Sequence, residues 1–423
     1  MQARRVSAFS LALLSLFVCV PHLLLAATPQ FTGGHIKYRL RMNSFPQESL
    51  FREVVGTPGV DQNTDLRLKF DWSGQALSLE ADYQLIGLRG DSVRLADTPL
   101  GDLGNTYAVV SDERRLMDLT DVISQDERTV LVQRLDRLVL GLNTDRTVAR
   151  LGRQSICCGN GLIYTTMDFF NPLDPAAVDT EYKSGDDMAY LQYLRDNGDD
   201  VQAVWVVRRD EEGEVSDEVD SLAAKYHGFA GSREYDLLLS EHYDDSVFAV
   251  GGLTDAGGAL LRGDLVVTDT QTDTVASVVA NLSYSWVSGG KNVSGILEYF
   301  YNGFGQPEGE YAPSQLASNP DLVERLQRGE LFTIGRHYVA ASAMVELTPL
   351  WLMTPAAFIN ADDGSALIQL VSSYDLMQDL QFLSALNVPV GPPGTEYGGI
   401  ETSIPGKTLG TGPSLFLQFG YYF

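Results

Sequence analysis

The chain has little cysteine, no long apolar helix, no visible repeat and few basic residues. Of its three cysteines, Cys19 falls in an apolar leader, so only the adjacent Cys157 and Cys158 remain beyond it. Two neighbouring cysteines cannot build a disulfide framework. Beyond the leader no apolar run reaches the ~18 residues that a helical membrane span needs. No period of about 40–50 residues recurs, which argues against a propeller. Lys and Arg number 30 against 56 Asp and Glu, a formal net charge of −26. Such acidity argues against a nucleic-acid partner. His35, His227, His242 and His337 form no His-x-x-x-His set, and neither Cys-x-x-Cys nor Gly-x-x-x-x-Gly-Lys occurs. No metal ion or other cofactor is therefore expected. Gly159-Asn-Gly161 opens no helical pattern, so it does not read as a phosphate cradle.

What the chain has begins with that leader. Arg4 and Arg5 precede an apolar run from Ala8 to Val20, and Ala26-Ala27 supplies small residues for cleavage. The pattern is that of a cleaved secretory signal over residues 1–27, leaving one unit over 28–423. Without Arg4 and Arg5 the basic residues fall to 28 against the same 56 acids, a net charge of −28.

The chain ends on "PSLFLQFGYYF". Phe423, Tyr421, Phe419, Leu417 and Leu415 recur every second residue, so the last strand carries one fully apolar face. Such an end suits a barrel in an outer membrane, where the last strand pairs with the first and removes both edges. Ile36, Tyr38, Leu40 and Met42 alternate with His35, Lys37, Arg39 and Arg41 in the same way, and Leu66, Leu68, Phe70 and Trp72 alternate with charged residues.

Parsed by this period, the chain is all-β, with strands at 35–43, 64–73, 76–87, 131–142, 146–154, 187–195, 200–209, 219–228, 234–243, 246–253, 259–269, 275–287, 293–303, 335–347, 350–360, 365–374, 379–388 and 413–423. The expectation is a transmembrane antiparallel β-barrel of about 18 strands, with short periplasmic turns and long outer loops. The long connections 44–63, 88–130, 155–186, 304–334 and 389–412 all fall on one side. The connection at 244–245 is very short for that side and leaves 16 or 20 strands open. Trp72, Trp286 and Trp351 fall at turn-side strand ends, where an aromatic girdle belongs.

Charge is uneven along the chain. Sixteen of the 28 basic residues lie between His35 and Arg153. Lys37, Arg39, Arg41, Arg67, Lys69, Arg137 and Arg150 fall on the polar faces of neighbouring strands and would line one wall of the lumen. They could pair with wall carboxylates such as Asp65 and Asp82, or form a track for anions, since the arginine fork suits carboxylate and phosphate. Ser240 and His242 share a strand face, but no orienting acid stands at a fixed spacing, so no catalytic residue is expected. Residues 155–186 read as a long outer loop that dips towards the pore as a constriction. Gly159 and Gly161 serve tight turning there, and Asn171-Pro172 with Asp174-Pro175 stiffens it. Cys157 and Cys158 either stay free or pair with each other in a strained vicinal disulfide.

"RLDRLVLGL", "RLGRQSI", "GNGLIYTTMDFFNPLDP" and "EYKSGDDMAYLQY", within residues 134–195, resemble porin-like outer-membrane proteins and the "GRQ" element of the alginate-export barrel family. The resemblance implies an 18-stranded pore with arginines in its lumen, and places Arg150, Arg153 and Gln154 there or at its mouth. The relatives carry a Ser-Trp-Gly type sequence where this chain has Cys157-Cys158-Gly159. The expected location is the outer membrane of a Gram-negative bacterium, with outer-membrane lipid and lipopolysaccharide around the barrel. Barrel-assembly machinery would read the strand ending at Phe423. The expected role is passive passage of small anionic solutes. The alternatives are an export pore or surface component for an anionic polysaccharide, and, further off, a barrel lipid hydrolase.

Overall fold

The computed structural model describes residues 29–96, 98 and 111–423. The expected leader over 1–27 lies outside the described residues, as does part of the 88–130 connection. The strands are β1 (Gln30–Asn43), β2 (Gly59–Ser73), β3 (Leu77–Gly90), β4 (Thr120–Asp126), β5 (Thr129–Asn143), β6 (Thr147–Gln154), β7 (Asp186–Leu194), β8 (Asp200–Val206), β9 (Ser221–Ala230), β10 (Arg233–His242) and β11 (Asp245–Ala256). They continue as β12 (Ala259–Asp269), β13 (Thr274–Ser288), β14 (Lys291–Tyr301), β15 (His337–Thr348), β16 (Trp351–Asn360), β17 (Ala366–Met377), β18 (Leu380–Val390), β19 (Ile400–Glu401), β20 (Thr408–Leu409) and β21 (Ser414–Tyr422).

All but the short β4, β19 and β20 form a closed antiparallel ring of 18 strands. β1 pairs with β21 from His35↔Tyr422 to Asn43↔Ser414. Gly34 and Phe423 seal the seam by exchanging backbone hydrogen bonds of 2.8 and 3.1 Å. A Cβ on Gly34 would stand 2.1 Å from the Arg67 carbonyl, so the seam needs glycine there. The short outer connection fits without changing the strand number. Tyr243 and Asp244 take φ of 51° and 64°, the left-handed pair of a two-residue hairpin turn.

Side-chain polarity is turned inside out, as lipid requires. On β1, His35 and Lys37 are each 1% exposed in the lumen, while Ile36 and Tyr38 are 44% and 41% exposed outside. A soluble sandwich would bury the opposite faces. At the turn end Trp286 stacks on Tyr284, and Trp351 meets Tyr374 edge-on.

Two departures from the expected boundaries position the interior. After α1 (Leu50–Val55), β2 begins at Gly59 rather than 64, because Asp61 and Asn63 face the lumen and Asp61 accepts the Ser92 N–H at the start of α2 (Asp91–Ala96). The stretch has no apolar face, so periodicity could not mark it as strand. The wall at β6 to β8 is also low. β6 stops at Gln154, and β4 pairs the upper part of β5 that would otherwise be an open edge. The chain enters the lumen over this low rim. Within the 304–334 connection, expected as plain loop, two helices form: α3 (Pro313–Ala317) and α4 (Pro320–Gln327), the latter capped by the Asn319 side chain. α4 covers the Tyr243–Asp244 hairpin, with Arg325 on Asp245 and Arg328 over the Tyr243 ring.

Candidate functional site

Residues 155–185 leave β6, cross the inside of the barrel and return to β7. Two wall carboxylates anchor the first part. Asp264 of β12 accepts the Asn160 backbone N–H at 2.6 Å and its side-chain amide at 2.7 Å. Glu298 of β14 accepts the N–H groups of Leu162, Ile163 and Tyr164 at 2.8, 3.1 and 2.6 Å. The backbone can approach so closely because Gly159 has φ 90°, and a Cβ there would stand 2.8 Å from Asp264. At Gly161 a Cβ would lie 1.9 Å from the Tyr164 carbonyl.

Three loop side chains then pack on three walls. Tyr164 joins Phe300, Tyr338 and Phe358. Met167 joins Leu238, Val247 and Val266. Phe170 joins Met188, Val204 and Val206. Three of the five buried apolar clusters among the described residues are thus built around the loop. Further on, the Asp174 side chain accepts the Ala176 N–H at 2.8 Å, and the Ala176 carbonyl accepts from Gln369 of β17 at 2.8 Å. Asn171 and Pro172 are half-buried at the bend between Phe170 and Asp174.

The last part binds the basic wall. Asp179 accepts from Lys37 at 2.7 Å and Arg39 at 2.9 Å. Burial works against its charge, yet these two cations hold the carboxyl down at about 2. Glu181 pairs with Lys37 at 2.6 Å. The Tyr182 ring lies 4.1 Å from Arg67, 4.8 Å from Lys69 and 5.5 Å from Lys37. Lys183 pairs with Asp168 and donates to the Ile156 carbonyl at 2.7 Å, tying the two ends of the loop together.

Among the described residues two cavities border the loop. The outer chamber, ≈ 740 Å³, is lined by Arg39, Arg41, Arg67, Arg134 and Lys183 with Asp65, Asp136, Asp174 and Asp179, and by Phe45, Phe51, Tyr182 and Phe416. It reaches Asn43, the last residue of β1 on the loop side. The inner cavity, ≈ 260 Å³, is lined by Arg150, Lys225, Gln154, Gln192 and Gln202 with Cys157 and Cys158. Val148 and Gln202 place it towards the turns.

All seven basic residues picked from the sequence lie on the lumen side, but in different states. Lys37 and Arg39 are held by the loop. Arg67 bridges Asp82 at 3.0 Å and Asp136 at 2.8 Å, and Arg137 meets Asp136 at 3.1 Å and the Ser155 hydroxyl at 2.9 Å. Arg41 stands 5.9 Å from the Phe416 ring, and Lys69 rests on Tyr182. Arg150 borders the inner cavity instead. Arg153 is buried between Asp112 and Asp187, where burial opposes the charge of Asp112 but Arg115 and Arg153 hold it at about 2. Sequence reasoning missed Asp264, Glu298, Tyr182 and Lys183. The first two carried a usable signal, an inward-facing carboxylate in the middle of a spanning strand.

Two alternatives are corrected. Cys157 and Cys158 are free thiols, not a vicinal disulfide. Cys157 is exposed to the lumen, whereas Cys158 packs against the Met167–Leu238 cluster, so the side chains serve different surroundings. Ser240 does not meet His242 but donates to the Leu222 carbonyl at 3.0 Å. His242 instead touches the Ser221 hydroxyl at 2.7 Å and Glu330 at 3.0 Å. Ser221 is 1% exposed and also accepts from Arg208.

No protein-family model matches the chain, and no curated protein sequence does. Solved structures match over nearly its whole length. Wzi of Escherichia coli, described as an outer-membrane carbohydrate-binding β-barrel involved in group 1 capsule assembly, is similar with a TM-score of 0.52 at 9% identity, covering 100% of this chain and 90% of that one. OccK8 (OprE) of Pseudomonas aeruginosa gives 0.50 at 8% identity, covering 92% and 98%. OccD3 (OpdP) of the same organism gives 0.50 at 11%, covering 95% and 96%. The chain is an outer-membrane β-barrel. Its fold is porin-like, a closed ring with apolar residues outside and charged ones in the lumen. At these identities the likeness concerns the fold.

Proposed function

We propose that this barrel is a passive channel for small anionic solutes, selecting by size and charge with no covalent step. The lining of the two cavities carries the reading. Together they present seven basic side chains (Arg39, Arg41, Arg67, Arg134, Arg150, Lys183 and Lys225) to four acidic ones, in a chain whose net charge is −26. A positive path inside a negative protein favours anions within the lumen and leaves the acidic excess to the solvated loops. The inward loop sets the width. Lipid and lipopolysaccharide would surround the apolar band, and the strand ending at Phe423 would be the handle for assembly.

The test is reversal potential and single-channel conductance in planar bilayers with ion substitution. Arg39→Ala, Arg41→Ala and Arg150→Ala together should lower anion-over-cation selectivity at least severalfold. Unchanged selectivity would sink the reading. A second reading, a surface or export component for an anionic polysaccharide of the alginate-export type, is favoured by the full-length likeness to the carbohydrate-binding barrel Wzi. The outer chamber supports it, since aromatic rings beside arginines suit sugar faces and their carboxylates. Saturable binding of a polyuronate to a barrel that conducts no small ions would decide for it.

A further inference from the structure

The transport reading makes no use of Cys157 and Cys158, and the inner cavity gives them a setting. Both line it beside Arg150 and Lys225, and no carboxylate lines it, although the chain carries 56 acidic residues. Lys183 Nζ stands 3.6 Å from Cys157 Sγ. Arg150 is exposed to the lumen and makes no salt bridge among the described residues.

The two thiols are unequal. A thiol reacts as the thiolate and needs an open approach. Cys157 has the approach, and a charged donor already stands beside its sulfur. Cys158 is packed on Met167 and Leu238, and burial pushes its thiol up to about 12. The surroundings also choose the reagent. Lys183 pairs with Asp168 and Lys225 with Asp236 at 2.9 Å, so the net charge at the cavity is that of Arg150, which repels a metal cation and draws an anion.

We propose that Cys157 is a thiol–disulfide exchange site that takes small anionic disulfides from the inner cavity, while Cys158 stays out of the exchange. The Cys157 thiolate attacks one sulfur of R–S–S–R. A Cys157–S–S–R bond forms, the original S–S bond breaks, and R–S⁻ leaves with the bonding pair. The protein thiol is oxidised to the mixed disulfide, and the departing half of the reagent is reduced. A second step would need Cys158 to leave its packing and close a ring across Cα atoms about 3.8 Å apart, below the usual disulfide span. The exchange therefore stops at one adduct. The proposal does not depend on transport, because labelling is read whether or not the barrel conducts.

The test uses the whole barrel in detergent micelles with two reagents, dianionic dithiobis-nitrobenzoate and dicationic cystamine. One equivalent of thionitrobenzoate should be released, and peptide mass mapping of the unsubstituted protein should place the adduct on Cys157. Cys158→Ser should keep the reaction and Cys157→Ser should abolish it. Relative to each reagent's rate with free cysteine, the anionic one should be faster by at least about tenfold, and Arg150→Gln should cut that preference severalfold. No adduct at Cys157, an adduct at Cys158, two equivalents released, or equal relative rates for the two reagents would overturn the proposal.

Discussion

At residues 160–164 the barrel wall supplies the negative charge, through Asp264 and Glu298, and the loop supplies backbone N–H groups. At residues 179–182 the roles are exchanged. The loop supplies Asp179 and Glu181, and the wall supplies Lys37 and Arg39. The first anchor ties carboxylates mainly to peptide N–H groups, with the Asn160 amide as its one loop side chain and Gly159 and Gly161 allowing the approach. The second ties ion to ion through side chains at every contact. One segment is thus held across the lumen by a grip made mostly of backbone and by a grip made of side chains.

Glu298→Ala should have the largest effect. It orphans three N–H groups that share one fully buried carboxylate. Each orphaned donor costs about 1–3 kcal/mol, and the three are coupled, so the first anchor should lose about 3–5 kcal/mol. Hydrogen exchange at Leu162, Ile163 and Tyr164 should speed up at least about a hundredfold while the strand amides stay protected. Conductance should rise in the same variant. Unchanged exchange at these three amides would remove the distinction between the two anchors.

The two anchors also differ in how far the sequence reveals them. Strand number, closure and the phase of the long loops were legible, because lipid outside and water inside force a two-residue period on every spanning strand. Lys37, Arg39 and Arg67 were legible as lumen residues for the same reason. Two wall partners were legible as well, since Asp65 meets Arg39 at 3.6 Å and Asp82 meets Arg67 at 3.0 Å, but the loop partners were not. Asp179 and Glu181 lie in a loop without period, and nothing local says which wall such a carboxylate meets. Glu298 was harder still, because its partners are peptide N–H groups that every residue possesses. The start of β2 at Gly59 was hidden for a related reason. Above the membrane a strand needs no apolar face, so Asp61 and Asn63 read as loop.

Asp179→Asn should have the next largest effect. It removes the negative charge shared by Lys37 and Arg39 and leaves Glu181 as the remaining anion on Lys37, which is 1% exposed. Hydrogen bonds to charged groups contribute about 1.5–3 kcal/mol, so exchange of the 178–182 amides should quicken about tenfold to a hundredfold. The same carboxylate gives a pH signature. Its folded-state value of about 2 lies below the ordinary 3.8, so its contribution is fully present above the ordinary value and is lost as pH falls through about 2. Acid should loosen the 178–182 amides in that window, and the Asp179→Asn protein should not show that step. An acid step of equal size in the variant would mean that another group controls the second anchor.

Tyr182→Leu should have the smallest effect and separates the two components of the second anchor. Leucine keeps apolar bulk against the wall but removes the ring face that Arg67, Lys69 and Lys37 share. Cation–π contacts contribute about 0.5–1 kcal/mol each where partly solvated, and these three share one ring, so their sum stays well below three times that. Exchange of the same amides should rise only about twofold to tenfold. A loss as large as that of Asp179→Asn would make the aromatic ring, rather than the carboxylate, the centre of the second anchor. The exchange of roles between loop and wall would then hold for charge alone, and the grip at 179–182 would come from Tyr182 filling the space among three cations.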